Sequence, residues 1–517
     1  LKIANDVAIA VDQLGTRKGA IATYLEVWHN DVFEFIDLRK NSGEERRRAH
    51  DLFPALWICD LFMKRVQANE FWTLFDPYQC PELTELYGEE FEAKYLEYEQ
   101  NEHILKHRVV AKDLWKKILT NYFESGLPFL CFKDNANRAN PNGHAGIIRS
   151  SNLCTEIFQN TNPNHYVVEI EFDDGSKVIY DEKQEVELDS GVRKAANKIT
   201  SVDSLRGKKV FITTRIAQGG DTAVCNLASV NLSKIHTKGD IERVLPIAIR
   251  MLDNVIDLNF YPNRKVKVTN KKNRAIGLGV MGEAEMLACA KIEWGSDEHL
   301  AKIDEVMELI SFYAISSSSD LAQEKGKYPQ FDGSNWSKGI MPIDLANKEA
   351  LKLVDRGGLF SQQCDWESLR KKIKTQGIRN GYLMAIAPTS SISILVGTTQ
   401  TIEPVYRKKW LEENLSGMIP VVVPHLSADT WNYYTSAYDI DQTLLIKAAA
   451  VRQKWIDQGQ STNVFVRLDK ASGKMLNDIY MLAWKLGLKS TYYLRSQSPE
   501  IEKDDVIDRS VECVNCQ

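Results

Sequence analysis

The sequence predicts an α/β fold. Long stretches with apolar residues at helical spacing alternate with short runs rich in β-branched and aromatic residues. At 44% hydrophobic over 517 positions, the chain also has enough apolar surface for a large core. Helical spacing marks residues 51–70, 111–126, 242–260, 301–326, 442–459 and 470–487. Short apolar runs at 19–28, 381–387 and 488–494 predict strands buried on both faces. Between them, YVVEIEFDDGSKVIYDEKQEVEL alternates apolar and polar residues around a DDG turn and is followed by KKVFITT, which predicts a β-rich insert over 163–216. The expected organisation is therefore a first part over 1–162, the insert, a second part over 217–494, and a polar, mobile tail over 495–517.

Composition narrows the function classes. Sixty-five basic against seventy acidic residues give a net charge of -5 with no basic block, so no nucleic-acid partner is expected. No apolar run approaches the roughly 20 residues of a membrane span, and Leu1 opens no signal peptide. The expectation is a cytoplasmic protein. Nine scattered cysteines are not a secreted disulfide framework. Cys59 in LFPALWICDLF, Cys131 in PFLCF and Cys289 in MLACA sit among core-type neighbours and are expected to be buried fillers.

Three features carry chemistry. The chain ends on Cys513-Val-Asn-Cys516, two thiols that can close a disulfide; a structural zinc site would need four ligands, and no second pair exists. Twenty residue steps after Tyr493, spanning at most about 66–72 Å when extended, such a dithiol can shuttle between a buried site and an outside reductant. The second feature is Ser151-Asn152-Leu153-Cys154-Thr155-Glu156-Ile157, followed by Cys225 in DTAVCNLAS. In an extended segment Asn152, Cys154 and Glu156 would project from one face, bringing an amide, a thiol and a carboxylate together. A thiol hydrolase would use the same groups but would need a distant histidine. The third is Pro388-Thr389-Ser390-Ser391-Ile392 after the apolar RNGYLMAIA, where hydroxyls and backbone amides at a helix start would cradle an anion. Gly277-Leu278-Gly279-Val280-Met281-Gly282 fits GxGxxG, but the preceding KKNRAI is too polar for the buried strand of a dinucleotide site, so a nicotinamide or flavin enzyme is set aside.

Taken together, SNLCTEI, AVCNLAS, the Tyr492-Tyr493 pair in STYYLR and the terminal CVNC resemble, in this order, the catalytic subunits of class I ribonucleotide reductases. Residues 19–66 resemble that family throughout, and the likeness spans nearly the whole chain outside the insert. The resemblance implies a ten-stranded α/β barrel and the reduction of ribonucleoside diphosphates to deoxyribonucleotides by thiyl-radical chemistry. It assigns Cys154 as the thiyl radical, Glu156 as general base, Asn152 as the residue orienting the sugar, and Cys225 as one thiol of a buried redox pair. Ser151 to Glu156 and Pro388 to Ile392 would hold substrate, the latter by its phosphates. Tyr492 and Tyr493 match a stacked radical relay, and Cys513 and Cys516 a redox shuttle. Asp12-Gln13-Leu14-Gly15-Thr16-Arg17 resembles the loop that reports a bound effector, with Gln13 and Arg17 as its functional side chains; Leu14 departs from the usual DQGG form.

The implied partners are a radical-generating small subunit with a dimetal or related cofactor, thioredoxin or glutaredoxin, and the diphosphate substrates. Nucleotide effectors (dNTP or ATP) are possible ligands, and no cofactor is expected on this chain itself. The family has a long region before the Gln13 loop that this sequence does not contain, and residue 1 is leucine. This leads to the expectation of a C-terminal piece that joins a separate N-terminal chain. The alternative is a non-catalytic fragment or binding module that retains the fold.

Overall fold

The computed structural model describes residues 1–11, 18–358, 360–414 and 417–497. They form two compact units: Leu1–Asn160 with Cys225–Asn259 and the chain from Lys271 onward, and Thr161–Val224 with Phe260–Asn270.

In the larger unit the strands Ile21–Glu26, Leu52–Ile58 and Phe129–Phe132 run parallel in that spatial order, and Ser490–Thr491 joins Phe129–Phe132 antiparallel. The expected helix over 51–70 is thus two elements: the strand Leu52–Ile58, then the helix Asp60–Ala68, which ends on left-handed Asn69. LFPALWI is apolar at every position and buried at every position, and such a run carries no period to separate strand from helix. Ile21–Glu26 lies at the sheet edge and is half-buried along its length, not buried on both faces as expected.

A second set of parallel pairings lines up Leu227–Asn231 with Gly277–Met281, and Val464–Arg467 with Leu494–Gln497. Single parallel bridges join Leu278 to Met384 and Ile386 to Gln460. Residues 381–387 are therefore extended, and buried through Ile386, but make bridges and no continuous strand. The expected strand over 488–494 breaks into Ser490–Thr491 and Leu494–Gln497, which belong to different sheets, with Tyr492 and Tyr493 between them. The class is α/β. Among the described residues these strands form a four-stranded sheet and parallel pairs, without a closed ten-stranded ring.

The helices Ala111–Ser125, Lys238–Leu258, Asp297–Lys325, Gln442–Gln453 and Gly473–Lys485 cover these strands, and their apolar faces enter one core with Trp72, Trp336 and Trp455. Each such side chain buried is worth roughly 1.5–3 kcal/mol or more. Lys238–Leu258 starts before residue 242 because Thr237 and Asp240 form a capping box. Gln442–Gln453 stops short of 459, and Gly459 lies against Phe158, where a Cβ would stand 2.5 Å from the ring. None of the described helices is long and apolar enough to cross a membrane.

The GxGxxG stretch is itself a strand, preceded by the helix Arg264–Asn273. A Cβ on Gly279 would meet the Ala385 carbonyl oxygen at 2.4 Å, so this glycine permits a close backbone approach. Cys59 and Cys131 are buried, whereas Cys289 is exposed. Cys289 sits in the last turn of Glu283–Ala290, whose burial ends at Ala288; the apolar neighbours in MLACA belong to the turn before.

The smaller unit is β-rich. Lys208–Gly219 and Asn164–Phe172 pair antiparallel, flanked by Ser204–Leu205 and Lys177–Asp181. The DDG turn holds Gly175 at φ 78°. Val168, Ile170, Phe172, Val186, Leu188 and Val210 belong to a separate core. At its base the Asp221 N–H donates to the Asn162 carbonyl at 2.8 Å, and the Asn162 N–H donates to the Asp221 carboxylate at 2.9 Å. Because the two ends are tied to each other, excising residues 164–219 and bridging the cut with a short flexible linker is expected to leave the larger unit with a cooperative thermal transition. Calorimetry of the deletion variant checks this, and loss of that transition would make the insert part of the main core.

Candidate active site

Cys154 lies in a turn and not in an extended strand. Thr155 takes φ 61°, in the left-handed region, and Asn152 curls back so that its Oδ1 accepts the backbone N–H groups of Glu156 (3.1 Å) and Ile157 (3.0 Å). The expected alternation of faces is therefore wrong in its geometry, yet the three groups still converge, because the turn wraps the chain around the asparagine. A left-handed β-branched residue is strained. Three bonds from elsewhere in the chain hold it. The Ser461 hydroxyl donates to the Cys154 carbonyl (2.6 Å), the Ser490 hydroxyl to the Thr155 carbonyl (2.7 Å), and the Gly459 N–H to the Glu156 carbonyl (2.8 Å). Ser151 Oγ donates to the Ile157 carbonyl (2.7 Å), and the Tyr24 hydroxyl to the Asn152 carbonyl (2.7 Å). Leu153 is half-buried against the apolar cluster that contains the Cys154 thiol.

The thiol is buried among Phe53, Phe129 and Tyr492, and the Tyr492 hydroxyl donates to its Sγ at 3.4 Å. Tyr492 and Tyr493 have ring centroids 4.3 Å apart at 51°, a tilted pair and not the parallel stack expected. Phe129 sits 4.9 Å from one ring and 5.0 Å from the other. Burial and the neighbouring Cys154 raise the pKa of both phenols above the usual range, so both stay protonated near neutral pH.

Glu156 is fully buried. Desolvation pushes its carboxyl up to about 7 against the stabilising hydrogen bonds of Asn152 and Ser461, the latter at 3.3 Å. That value suits a group that must both take and return a proton near neutrality. Cys225 comes from the other side, two positions before the strand Leu227–Asn231. Desolvation and the Glu156 carboxylate push its thiol up to about 12, while the Asn152 amide draws it back. The residue itself is exposed in this structure.

Residues 459–461 also lead to the third motif, since the Ile386 N–H donates to the Gly459 carbonyl (3.0 Å) and the Ser461 N–H to the Ile386 carbonyl (2.9 Å). Two residues on, Pro388 precedes left-handed Thr389 (φ 58°), which caps the short helix Ser390–Val396 and accepts the Thr401 N–H on its hydroxyl at 3.0 Å. Ser391 and Ile392 are exposed in its first turn, where helix amides have no intrahelical acceptor. Gln13, Arg17, Cys513 and Cys516 lie outside the described residues.

Sequence reasoning missed Tyr24, Ser461 and Ser490, which hold the turn. The available signal was the run Gln458-Gly459-Gln460-Ser461-Thr462-Asn463, polar and uncharged at five of six positions between apolar segments, and buried throughout.

A family profile described as "Ribonucleotide reductase, barrel domain" matches residues 1–494. The chain is 72% identical over its whole length to the ribonucleoside-diphosphate reductase subunit alpha of Helicobacter pylori strain J99, covering 66% of that protein. It is 42% identical to the protein of the same name from Treponema pallidum, over 97% of this chain and 55% of the relative. The Synechocystis protein of that name is 35% identical over 100% of this chain and 60% of the relative. The chain thus spans just under two thirds of the Helicobacter relative's length.

The raised Glu156 carboxyl makes stability depend on pH. Its value in the fold, about 7, lies above the ordinary 4.5, so the folded state gains from holding the proton. That gain is full below about pH 4.5 and is lost as pH rises through 7. Glu156→Gln removes the titration. Urea denaturation at pH 5 and pH 8 should show the variant gaining on the native protein by on the order of 2–3 kcal/mol at the higher pH. Equal differences at the two pH values would place the carboxylate in a solvated setting.

Proposed function

The chain belongs to the ribonucleotide reductase barrel-domain family, and from that premise we propose that it carries the radical cysteine of a class I ribonucleoside-diphosphate reductase catalytic subunit. The observation that carries this reading is the 3.4 Å contact between the Tyr492 hydroxyl and the Cys154 thiol, beside a buried carboxylate with a value of about 7. A buried thiol next to a phenol that stays protonated is poorly arranged for thiolate nucleophilic attack, which needs a cationic neighbour. It is well arranged for hydrogen-atom transfer. The parallel pairings belong, in this reading, to a ten-stranded α/β barrel.

A radical generated on a small partner subunit with a dimetal or related cofactor reaches Cys154 through Tyr493 and Tyr492. The Cys154 thiyl takes the hydrogen from C3' of a ribonucleoside diphosphate, so that the C3'–H bond breaks and an S–H bond forms. Asn152 orients the sugar while Glu156 takes the 3'-hydroxyl proton. The 2'-hydroxyl leaves as water. Two thiols supply two electrons and two protons as they close to a disulfide, and Cys154 returns its hydrogen to C3', which regenerates the thiyl. Cys225 is one of those thiols; its assigned partner is none of Cys59, Cys131 or Cys289. Pro388 to Ile392 hold the diphosphate with Thr389, Ser390 and Ser391 as hydroxyl donors, and Ser151 to Glu156 line the sugar. Cys513 and Cys516 re-reduce the pair and are themselves reduced by thioredoxin or glutaredoxin. Gln13 and Arg17 relay a bound dNTP or ATP to the choice of substrate.

Two outcomes are expected in the assembled reductase. Tyr492→Phe and Cys154→Ala should each bring deoxyribonucleoside diphosphate formation to background. Tyr492→Phe keeps the ring packing and should cost no more than about 1 kcal/mol of stability; turnover by either variant above background removes the relay or the thiyl assignment. Cys513→Ser with Cys516→Ser should stop multiple turnover on thioredoxin while leaving a single round with pre-reduced protein. Sustained turnover on thioredoxin would contradict the shuttle.

A further inference from the structure

Glu403 is 2% exposed and has no part in the chemistry assigned above. A carboxylate in such a place is costly unless its oxygens are paired. Both accept from one residue: Oε1 takes the Asn463 N–H at 2.6 Å, and Oε2 takes the Asn463 side-chain amide at 3.0 Å. Burial pushes the carboxyl up, while these two amides and the positive charges of Arg495 and Arg452 draw it back. The backbone that carries it is pinned as well. The Glu403 N–H donates to the Thr401 hydroxyl (3.1 Å), and the N–H of Thr401, left-handed at φ 57°, donates to the Thr389 hydroxyl (3.0 Å).

Asn463 is also 2% exposed, and it turns its Oδ1 the other way, to the Tyr493 N–H at 3.3 Å. Tyr492 and Tyr493 fall between Ser490–Thr491 and Leu494–Gln497, strands of different sheets, so no single ladder fixes them. The Thr462 carbonyl holds the Tyr492 N–H, whereas the Tyr493 N–H meets a side chain. A side-chain amide can present either end, and its other neighbour decides which. A carboxylate only accepts, so Glu403 takes the NH2 and leaves the oxygen for Tyr493.

We propose that Glu403 is a positioning residue of the tyrosine pair, acting through Asn463 to set the backbone of Tyr493 and with it the approach of the two rings. The inference rests on the reading of Tyr492 and Tyr493 as the relay to Cys154. A misplacement of about 1 Å at a reacting pair costs on the order of a hundredfold in rate. Glu403→Gln is nearly isosteric, yet it cannot reproduce the arrangement. Whichever way the new amide turns, its NH2 faces either the Asn463 N–H or the Asn463 NH2. The second conflict is relieved only by turning Asn463 over, which aims an NH2 at the Tyr493 N–H.

The full chain carrying 3-fluorotyrosine at position 493, observed by fluorine NMR, reports the setting of that ring without any turnover. Glu403→Gln should shift or split the resonance. Asn463→Ala should displace it too, and the double variant should move it no further than Asn463→Ala alone. In the assembled reductase, Glu403→Gln should lower kcat about tenfold or more and leave KM for the diphosphate within about twofold. A native resonance in Glu403→Gln overturns the assignment. So do additive displacements in the double variant, or a raised KM with native kcat, which would make Glu403 a substrate-binding group. Should Glu403→Gln lose its melting transition, Asn463→Ala decides, because Glu403 acts only through that residue: a displaced resonance supports the proposal and a native one overturns it. Tyr492→Phe separates this from the relay itself. Turnover by Tyr492→Phe beside a displaced resonance in Glu403→Gln removes the relay and not the positioning, whereas an inactive Tyr492→Phe beside a native resonance removes the positioning alone.

Discussion

The backbone of Asn152 to Ile157 is a tight turn that would not persist by itself. Thr155, β-branched and left-handed, costs of order 1–3 kcal/mol, and its hydroxyl is buried without a hydrogen-bond partner among the described residues. What holds it is the capture of the three successive carbonyls of Cys154, Thr155 and Glu156 by Ser461, Ser490 and Gly459, together with the asparagine that ties the turn to itself. The thiol meets Tyr492 because of this turn, and the carboxylate is buried because of it.

The segment 457–463 does most of the holding. It is irregular backbone in a buried place, which is tolerated only when its polar groups are paired. Asp457 accepts the amides of Leu383 and Met384, Gln458 donates to the Ile276 carbonyl, and Gln460 donates to the Ala449 carbonyl. The Thr462 carbonyl accepts the Tyr492 N–H at 2.7 Å, and the Asn463 side chain accepts the Tyr493 N–H while donating to Glu403. One polar run therefore positions both the cysteine turn and the tyrosine pair.

The residue types of the site were legible in the sequence; the path of its backbone was not. Asn152, Cys154 and Glu156 stand out as an amide, a thiol and a carboxylate in close order, but nothing local announces that Thr155 is left-handed. Tyr24 and Ser461 reach the turn across 128 and 307 positions, a distance at which no periodicity carries information. The insert was legible because its period-two alternation and its DDG turn are local. The strand Leu52–Ile58 was misread for the opposite reason, since a segment buried on every side has no pattern to show. Cys289 shows the same limit at a helix end, where apolar neighbours one turn earlier do not bury the residue that follows.

The tie between Asn162 and Asp221 bears on the order in which the chain assembles. Cys154 and Cys225 stand 71 positions apart, a long loop to close if the intervening segment is coil. The β-rich segment has its own core and its own paired base, so it can form first from contacts near in sequence. Once its base has closed, the two flanks are delivered side by side, and the effective loop shrinks from about seventy residues to about ten, which lowers the closure entropy by roughly 1–2 kcal/mol. The insertion that most lengthens the chain between the two thiols is thus also the element that shortens the search by which they meet.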